Sequence, residues 1–125
     1  MRVLVVDDHT VVRQALALML SQESDIEVIG EASNGKAAVE MARSLNPDII
    51  LMDVNMPMMN GIEATRAIHG ELPGISVIGL SMYERDEQAT PMLNAGAVGY
   101  VSKSDAPDVL LAAMRACYRH PPAVA

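Results

Sequence analysis

The chain has no tryptophan, no phenylalanine and a single cysteine in 125 residues. One cysteine excludes an internal disulfide and any cysteine-rich metal site. Cys117 reads instead as a small apolar residue in a reducing cytoplasm. Three tyrosines are the only aromatic residues, too few to favour a flavin site. No Walker-type glycine-rich loop is present, which argues against a held nucleotide. Long hydrophobic runs are missing as well. The longest, Ala15 to Leu20 and Val109 to Met114, fall far short of the roughly 18 residues that span a bilayer. The N-terminus does not read as a signal peptide, because Val3 to Val6 runs straight into Asp7 and Asp8. Basic residues are scarce: nine Lys and Arg stand against 16 acids, a formal charge of -7. That speaks against gripping DNA or RNA, which takes clustered Lys and Arg. The acid excess points either to a cation site or, more commonly, to a solubilising surface.

What is present is one domain's worth of chain, half of it hydrophobic and a fifth charged, able to bury a core without staples. Apolar runs and helical spacings alternate. Strands are predicted over Arg2 to Val6, Glu27 to Ala32, Asp48 to Asp53, Ile75 to Leu80 and Val98 to Ser102. Helices are predicted over Val11 to Ser21, Lys36 to Leu45, Gly61 to Gly70 and Asp105 to Tyr118, the last with Asp105 and Asp108 in its first turn, at the positive end of the helix dipole. In the first helix Val12, Ala15, Leu16 and Met19 are placed inward and Leu18 outward. Strands alternating with helices predict a parallel sheet covered on both faces. The last residues, His120 to Ala125, read as the start of a linker or a frayed end.

In an open parallel sheet, ligands sit beyond the carboxyl ends of the strands. Asp7 and Asp8 follow the first strand, Asp53 ends the third, Ser81 follows the fourth and Lys103 the fifth. Three converging carboxylates repel one another. A divalent cation such as Mg²⁺, which favours oxygen ligands, removes that repulsion. A Lys and a hydroxyl nearby suit phosphate oxygens. Each residue alone has a plainer meaning. Asp7 and Asp8 can cap the following helix, Ser81 means little, and Lys103 is an ordinary surface residue. Their order along the rim is what makes a phosphoryl site.

Four stretches then carry a resemblance: Val5-Val6-Asp7-Asp8-His9, Asp53 to Gly61 with its Asp-x-x-Met-Pro-x-x-Asn-Gly pattern, Leu80-Ser81, and Gly96 to Lys103. Over nearly its whole length the chain resembles the receiver domain of bacterial two-component response regulators, in particular the NarL/LuxR class. That resemblance implies a single-domain flavodoxin-like (βα)5 fold with five parallel strands in the order 2-1-3-4-5. It implies that Asp53 takes a phosphoryl group from a sensor histidine kinase or a small phosphodonor. Asp7, Asp8, Asp53 and the backbone carbonyl of Asn55 would hold Mg²⁺, or Mn²⁺ in its place. Lys103 would pair with the acceptor, Ser81 would be the switch hydroxyl and Tyr100 the aromatic switch residue. Arg13, Gln14, Ala17 and Leu18 would dock the kinase. Such a domain catalyses only its own phosphorylation and dephosphorylation, and homodimerisation on phosphorylation belongs to the same picture. It implies a cytoplasmic protein with no nucleic acid bound by this domain itself and no membrane. Residues 1–119 would be the receiver, 120–125 the start of a linker, and a helix-turn-helix output domain would lie outside this chain; a stand-alone or hybrid-kinase receiver is the alternative.

Two other readings compete. A phosphorylation-independent pseudo-receiver is opposed by the complete acid, hydroxyl and Lys set. A haloacid-dehalogenase-type phosphatase places its nucleophilic Asp after the first strand with a second acid two positions on, whereas Asp7 and Asp8 are adjacent. Three positions depart from the receiver pattern: Met82 after Ser81, Ser104 after Lys103, and Pro91 within the expected fourth helix. Pro91 would break a helix that contained it. A helix starting late is therefore predicted, with Thr90 as N-cap, Pro91 first and Gly96 as stop, and with Glu84 to Ala89 outside it. His9 is read as a helix-start residue, His69 and His120 as solvated, and Met56 as packed beneath the rim.

Overall fold

The apolar runs become five strands: β1 (Arg2–Val6), β2 (Glu27–Ala32), β3 (Ile49–Asp53), β4 (Ser76–Ser81) and β5 (Gly99–Ser102). They pair in parallel in the order β2-β1-β3-β4-β5, the flavodoxin-like order. Five helices connect and follow them: α1 (Thr10–Ser21), α2 (Gly35–Leu45), α3 (Gly61–Glu71), α4 (Ala89–Ala95) and α5 (Pro107–Arg119). The computed structural model describes residues 1–56, 58–81, 87–103, 105 and 107–119. Pro57, Met82, Ser104, His120 and the rest of the tail, on which several expectations fall, lie outside the described residues, as do 83–86 and 106.

Strand alternation feeds two cores. Leu4, Val6, Ile50, Met52 and Val77 pack with Ala38, Ala42, Ala64, Ile68 and Met92 from α2, α3 and α4. Val3, Val5, Ile49, Leu51, Ile78 and Leu80 pack with Leu20, Leu110 and Met114 from α1 and α5. Every residue of β3 and β4 is buried, as expected of central parallel strands covered on both sides. Each buried Leu, Ile or Val stabilises by about 1.5–3 kcal/mol, so the sheet centre is a stiff floor for whatever stands on its rim.

Local chemistry sets the helix ends. Asn34 caps α2 through the Ala37 N–H, and Asn60 forms a capping box with Glu63 on α3. Gly96 closes α4 in the left-handed region, at φ 118°. Three expectations are corrected. Asp105 lies before α5, not in its first turn; its carboxylate accepts the Ser102 N–H at 3.1 Å. Ala15 is exposed, because Val11, Ala15 and Leu18 share the outer face at i, i+4, i+7 spacing. Thr90 is not the N-cap of α4: Gln88 is, Ala89 is the first helical residue instead of lying outside, and Pro91 occupies the third helical position. The helix does start late, as Pro91 requires. The third position tolerates proline because its N–H has no partner within the helix; the first such bond runs from Met92 to the Gln88 carbonyl, at 2.9 Å.

Candidate functional site

Parallel pairing brings the carboxyl ends of β1, β3, β4 and β5 to one rim. Asp7 follows β1 and is fully buried. Its N–H donates to the Ala32 carbonyl at 3.0 Å, and its own carbonyl accepts from the Arg13 guanidinium at 2.8 Å. Arg13 also reaches Glu31 at 3.2 Å, tying the turn after β1 to β2. Asp53 closes β3 and is 3% exposed. Gly61 anchors the far end of its loop: its N–H donates to the Val54 carbonyl at 2.8 Å. A Cβ on Gly61 would collide with the Asp53 carbonyl oxygen and lie 2.8 Å from the Val54 Cα, so the glycine that opens α3 is a steric requirement of Asp53's position.

Lys103 joins the acids. Its N–H donates to the Ser81 carbonyl at 2.6 Å, which fixes its backbone against the end of β4. Its ammonium lies 2.6 Å from Asp7 Oδ2 and 3.3 Å from Asp53 Oδ1. The lysine is therefore closer to Asp7 than to the carboxylate with which it was expected to pair. Asp7 Oδ1 accepts the His9 N–H at 2.9 Å. His9 is the N-cap of α1 and makes no side-chain cap there, and its Nδ1 stands 3.2 Å from Asp7 and 3.1 Å from Asp8. The carboxylate of Asp7 thus serves the N-cap residue and the lysine.

Charge does not balance within this cluster. Burial pushes Asp53 up to about 6; the Lys103 charge opposes that shift and the Asp7 charge adds to it. Asp53 Oδ2 and Asp8 Oδ1 are buried and make no hydrogen bond among the described residues, although the His9 ring stands 3.1 Å from Asp8 Oδ1 without hydrogen-bond geometry. Asp7, Asp8, His9 and Asp53 each offer one ligand atom, all within 4.8 Å of one another. Orphaned, convergent, buried carboxylate oxygens fit a divalent cation.

The other predicted residues fall as follows. Ser81 is buried at the end of β4. Tyr100 is half-buried against the α2–α4 core. Asn55 is exposed in the loop after Asp53. Met56 is buried beneath the rim as expected, whereas Met58 is 76% exposed in the left-handed region, at φ 70°. His69 is exposed, with its ring beside Gly96. On α1, Gln14 and Leu18 are exposed and Ala17 is half-buried. Arg13 is the exception in that group, since its guanidinium is turned onto the rim. Its part in holding Asp7 is what the sequence reading missed; the available signal was a cation one helical turn after the acids and His9.

Residues 3–115 match the response regulator receiver domain family. LiaR of Bacillus subtilis is 44% identical over 121 residues, covering 97% of this chain and 57% of LiaR. GacA of Pseudomonas aeruginosa is 40% identical over 114 residues, 91% of this chain and 53% of GacA. The chain spans about half the length of the curated relatives it matches. Among solved structures, the response regulator domain of Thermotoga maritima CheB superposes with a TM-score of 0.89 at 34% identity, covering 98% of each chain. The signal receiver domain of NarL from Mycobacterium tuberculosis gives 0.88 at 32% identity, over 95% of this chain and 96% of that one.

Proposed function

This chain belongs to the response regulator receiver domain family, and we propose that Asp53 is its phosphoacceptor. A carboxylate oxygen of Asp53 attacks phosphorus of a phosphohistidine on a sensor histidine kinase, or of a small phosphodonor. A P–O bond to Asp53 forms, the bond to the donor breaks, and the donor leaves with its electron pair. The observation that carries this reading is the unequal pair of Asp53 oxygens, in a cluster with Asp7 and Asp8: Oδ1 lies 3.3 Å from the Lys103 ammonium, and Oδ2 is buried without a hydrogen-bond partner among the described residues.

Asp7, Asp8, Asp53 and the backbone carbonyl of Asn55 would hold Mg²⁺, or Mn²⁺, which when bound would offset negative charge on the transferred phosphoryl group. Lys103 balances Asp7 and Asp53 before transfer and takes a phosphoryl oxygen after it. Asp7, held by Arg13 and by β2, keeps the acids in place, so that little reorganisation accompanies the reaction. The Ser81 hydroxyl donates to the phosphoryl group, and Tyr100 follows it inward. The kinase docks on α1 around Arg13, Gln14, Ala17 and Leu18; the exposure of Gln14 and Leu18 supports that face. Residues 1–119 form the receiver. The whole protein is a cytoplasmic transcriptional regulator that dimerises on phosphorylation, with its DNA contacts made outside this domain.

Incubation with acetyl phosphate and Mg²⁺, read by intact mass, tests the acceptor. Wild type should gain one phosphoryl group and Asp53→Asn none. Equal labelling of the two would remove Asp53 from this role.

A further inference from the structure

Gly79 lies buried in the interior of β4, where glycine weakens a strand and marks the close approach of another group. Its backbone does not explain the choice: among the described glycines the left-handed region is taken by Gly96, not by Gly79. Space does. Tyr100 is the direct partner of Gly79 in the β4–β5 register. A Cβ on Gly79 would collide with Cδ1 of Tyr100 and lie 2.8 Å from its Cε1 and 2.9 Å from the Met92 Cε. At Gly99, the neighbour of Tyr100, a Cβ would meet nothing within 4 Å. The methionine tip can swing aside, but a tyrosine ring carbon can retreat only if the whole side chain turns. Met92 is fully buried and takes a weak hydrogen bond from the Thr65 hydroxyl at 3.8 Å, so α3 and α4 close the slot from the other side. By strand periodicity, Gly79 and Ser81 face the same way.

We propose that Gly79 is the seat of Tyr100, a positioning residue whose missing side chain lets the ring lie inward on the face of the sheet that carries Ser81. The geometry stands by itself; its consequence for signalling rests on the reading of Tyr100 as the switch residue. A side chain at 79 raises the energy of the inward ring but leaves the outward ring untouched. The equilibrium therefore moves outward by that difference, with or without phosphate.

Fluorotyrosine labelling in a Tyr83→Phe, Tyr118→Phe background isolates Tyr100 for fluorine NMR. Gly79→Ala should shift its resonance and broaden it more strongly with a soluble nitroxide, while acetyl phosphate still adds one phosphoryl group. An unchanged resonance would overturn the proposal. Urea unfolding supplies a second arm. Gly79→Ala should lower the midpoint when Tyr100 is present and not in a Tyr100→Ala background, where nothing large fills the slot. If Gly79→Ala alone fails to fold, folding of the double variant supports the seat; an equal loss in both backgrounds refutes it. Failure of wild type to take phosphate would strike the acceptor assignment and leave the fluorine result standing.

Discussion

The Lys103 ammonium sits 2.6 Å from Asp7 Oδ2 and 3.3 Å from Asp53 Oδ1, so one lysine is shared unequally between two buried carboxylates. Asp7 acts on Asp53 in two ways: its own charge makes ionisation of Asp53 harder, and it draws away the cation that eases it. Asp7→Asn removes both effects. The Asp53 pKa should then fall below its value of about 6, as followed by carboxyl-carbon NMR titration. An unchanged or higher value would show that Lys103 is not divided in this way.

Asp53 also sets a pH dependence. Folding raises its pKa from 3.8 to about 6, so the folded chain holds the proton more tightly than the unfolded one. The resulting stability is fully present below pH 3.8, is lost as pH climbs toward about 6, and is gone above it. Asp53→Asn removes the buried charge. Without divalent cations it should be more stable than wild type at pH 7, by on the order of 2 kcal/mol, and the gap should close toward pH 4. Urea unfolding across that range gives the answer; a gap that widens toward low pH would contradict the sign.

The acid cluster predicts metal-dependent stability. Mg²⁺ should raise the melting temperature of wild type at pH 7, because the acids converge on one site only in the folded chain and a cation held there would favour folding. Asp8→Ala should keep the fold but lose both that rise and most of the Mg²⁺-dependent labelling by acetyl phosphate. A full Mg²⁺ response in the variant would take Asp8 out of the ligand set.

Much of this site was legible because parallel α/β sheets place ligands at one rim, so the residue after each strand could be read directly. Asp7, Asp53, Ser81 and Lys103 all reach that rim. What escaped depends on side-chain direction and close packing. Arg13 looked like part of an outward docking surface because helical spacing does not reveal a guanidinium folded back onto a carbonyl. Ala15 is small and apolar enough to fit either face of α1. Thr90 is a good cap by type, yet proline is also tolerated at the third helical position, whose N–H has no partner within the helix. Gly79 read simply as part of a strand, and only the ring of Tyr100 above it explains the missing side chain.

Ser81→Ala tests transmission separately from transfer. With Asp53 as the proposed nucleophile, the variant should still gain one phosphoryl group. The energy that phosphorylation contributes to switching must pass through contacts that differ between the two states. The Tyr100 fluorine resonance should then respond to phosphorylation in wild type and much less in Ser81→Ala. Equal responses would mean that Ser81 is not the relay.

If Asp53 is the phosphoacceptor, the phosphoryl group is carried as an acyl phosphate on its carboxylate. Borohydride converts an acyl phosphate to an alcohol, so the labelled chain can be trapped, digested and sequenced by mass spectrometry. Position 53 alone should be converted from aspartate to homoserine, and only after treatment with acetyl phosphate and Mg²⁺. Conversion at Asp7 or Asp8, or a stable phosphoryl group on His9 with position 53 intact, would contradict it.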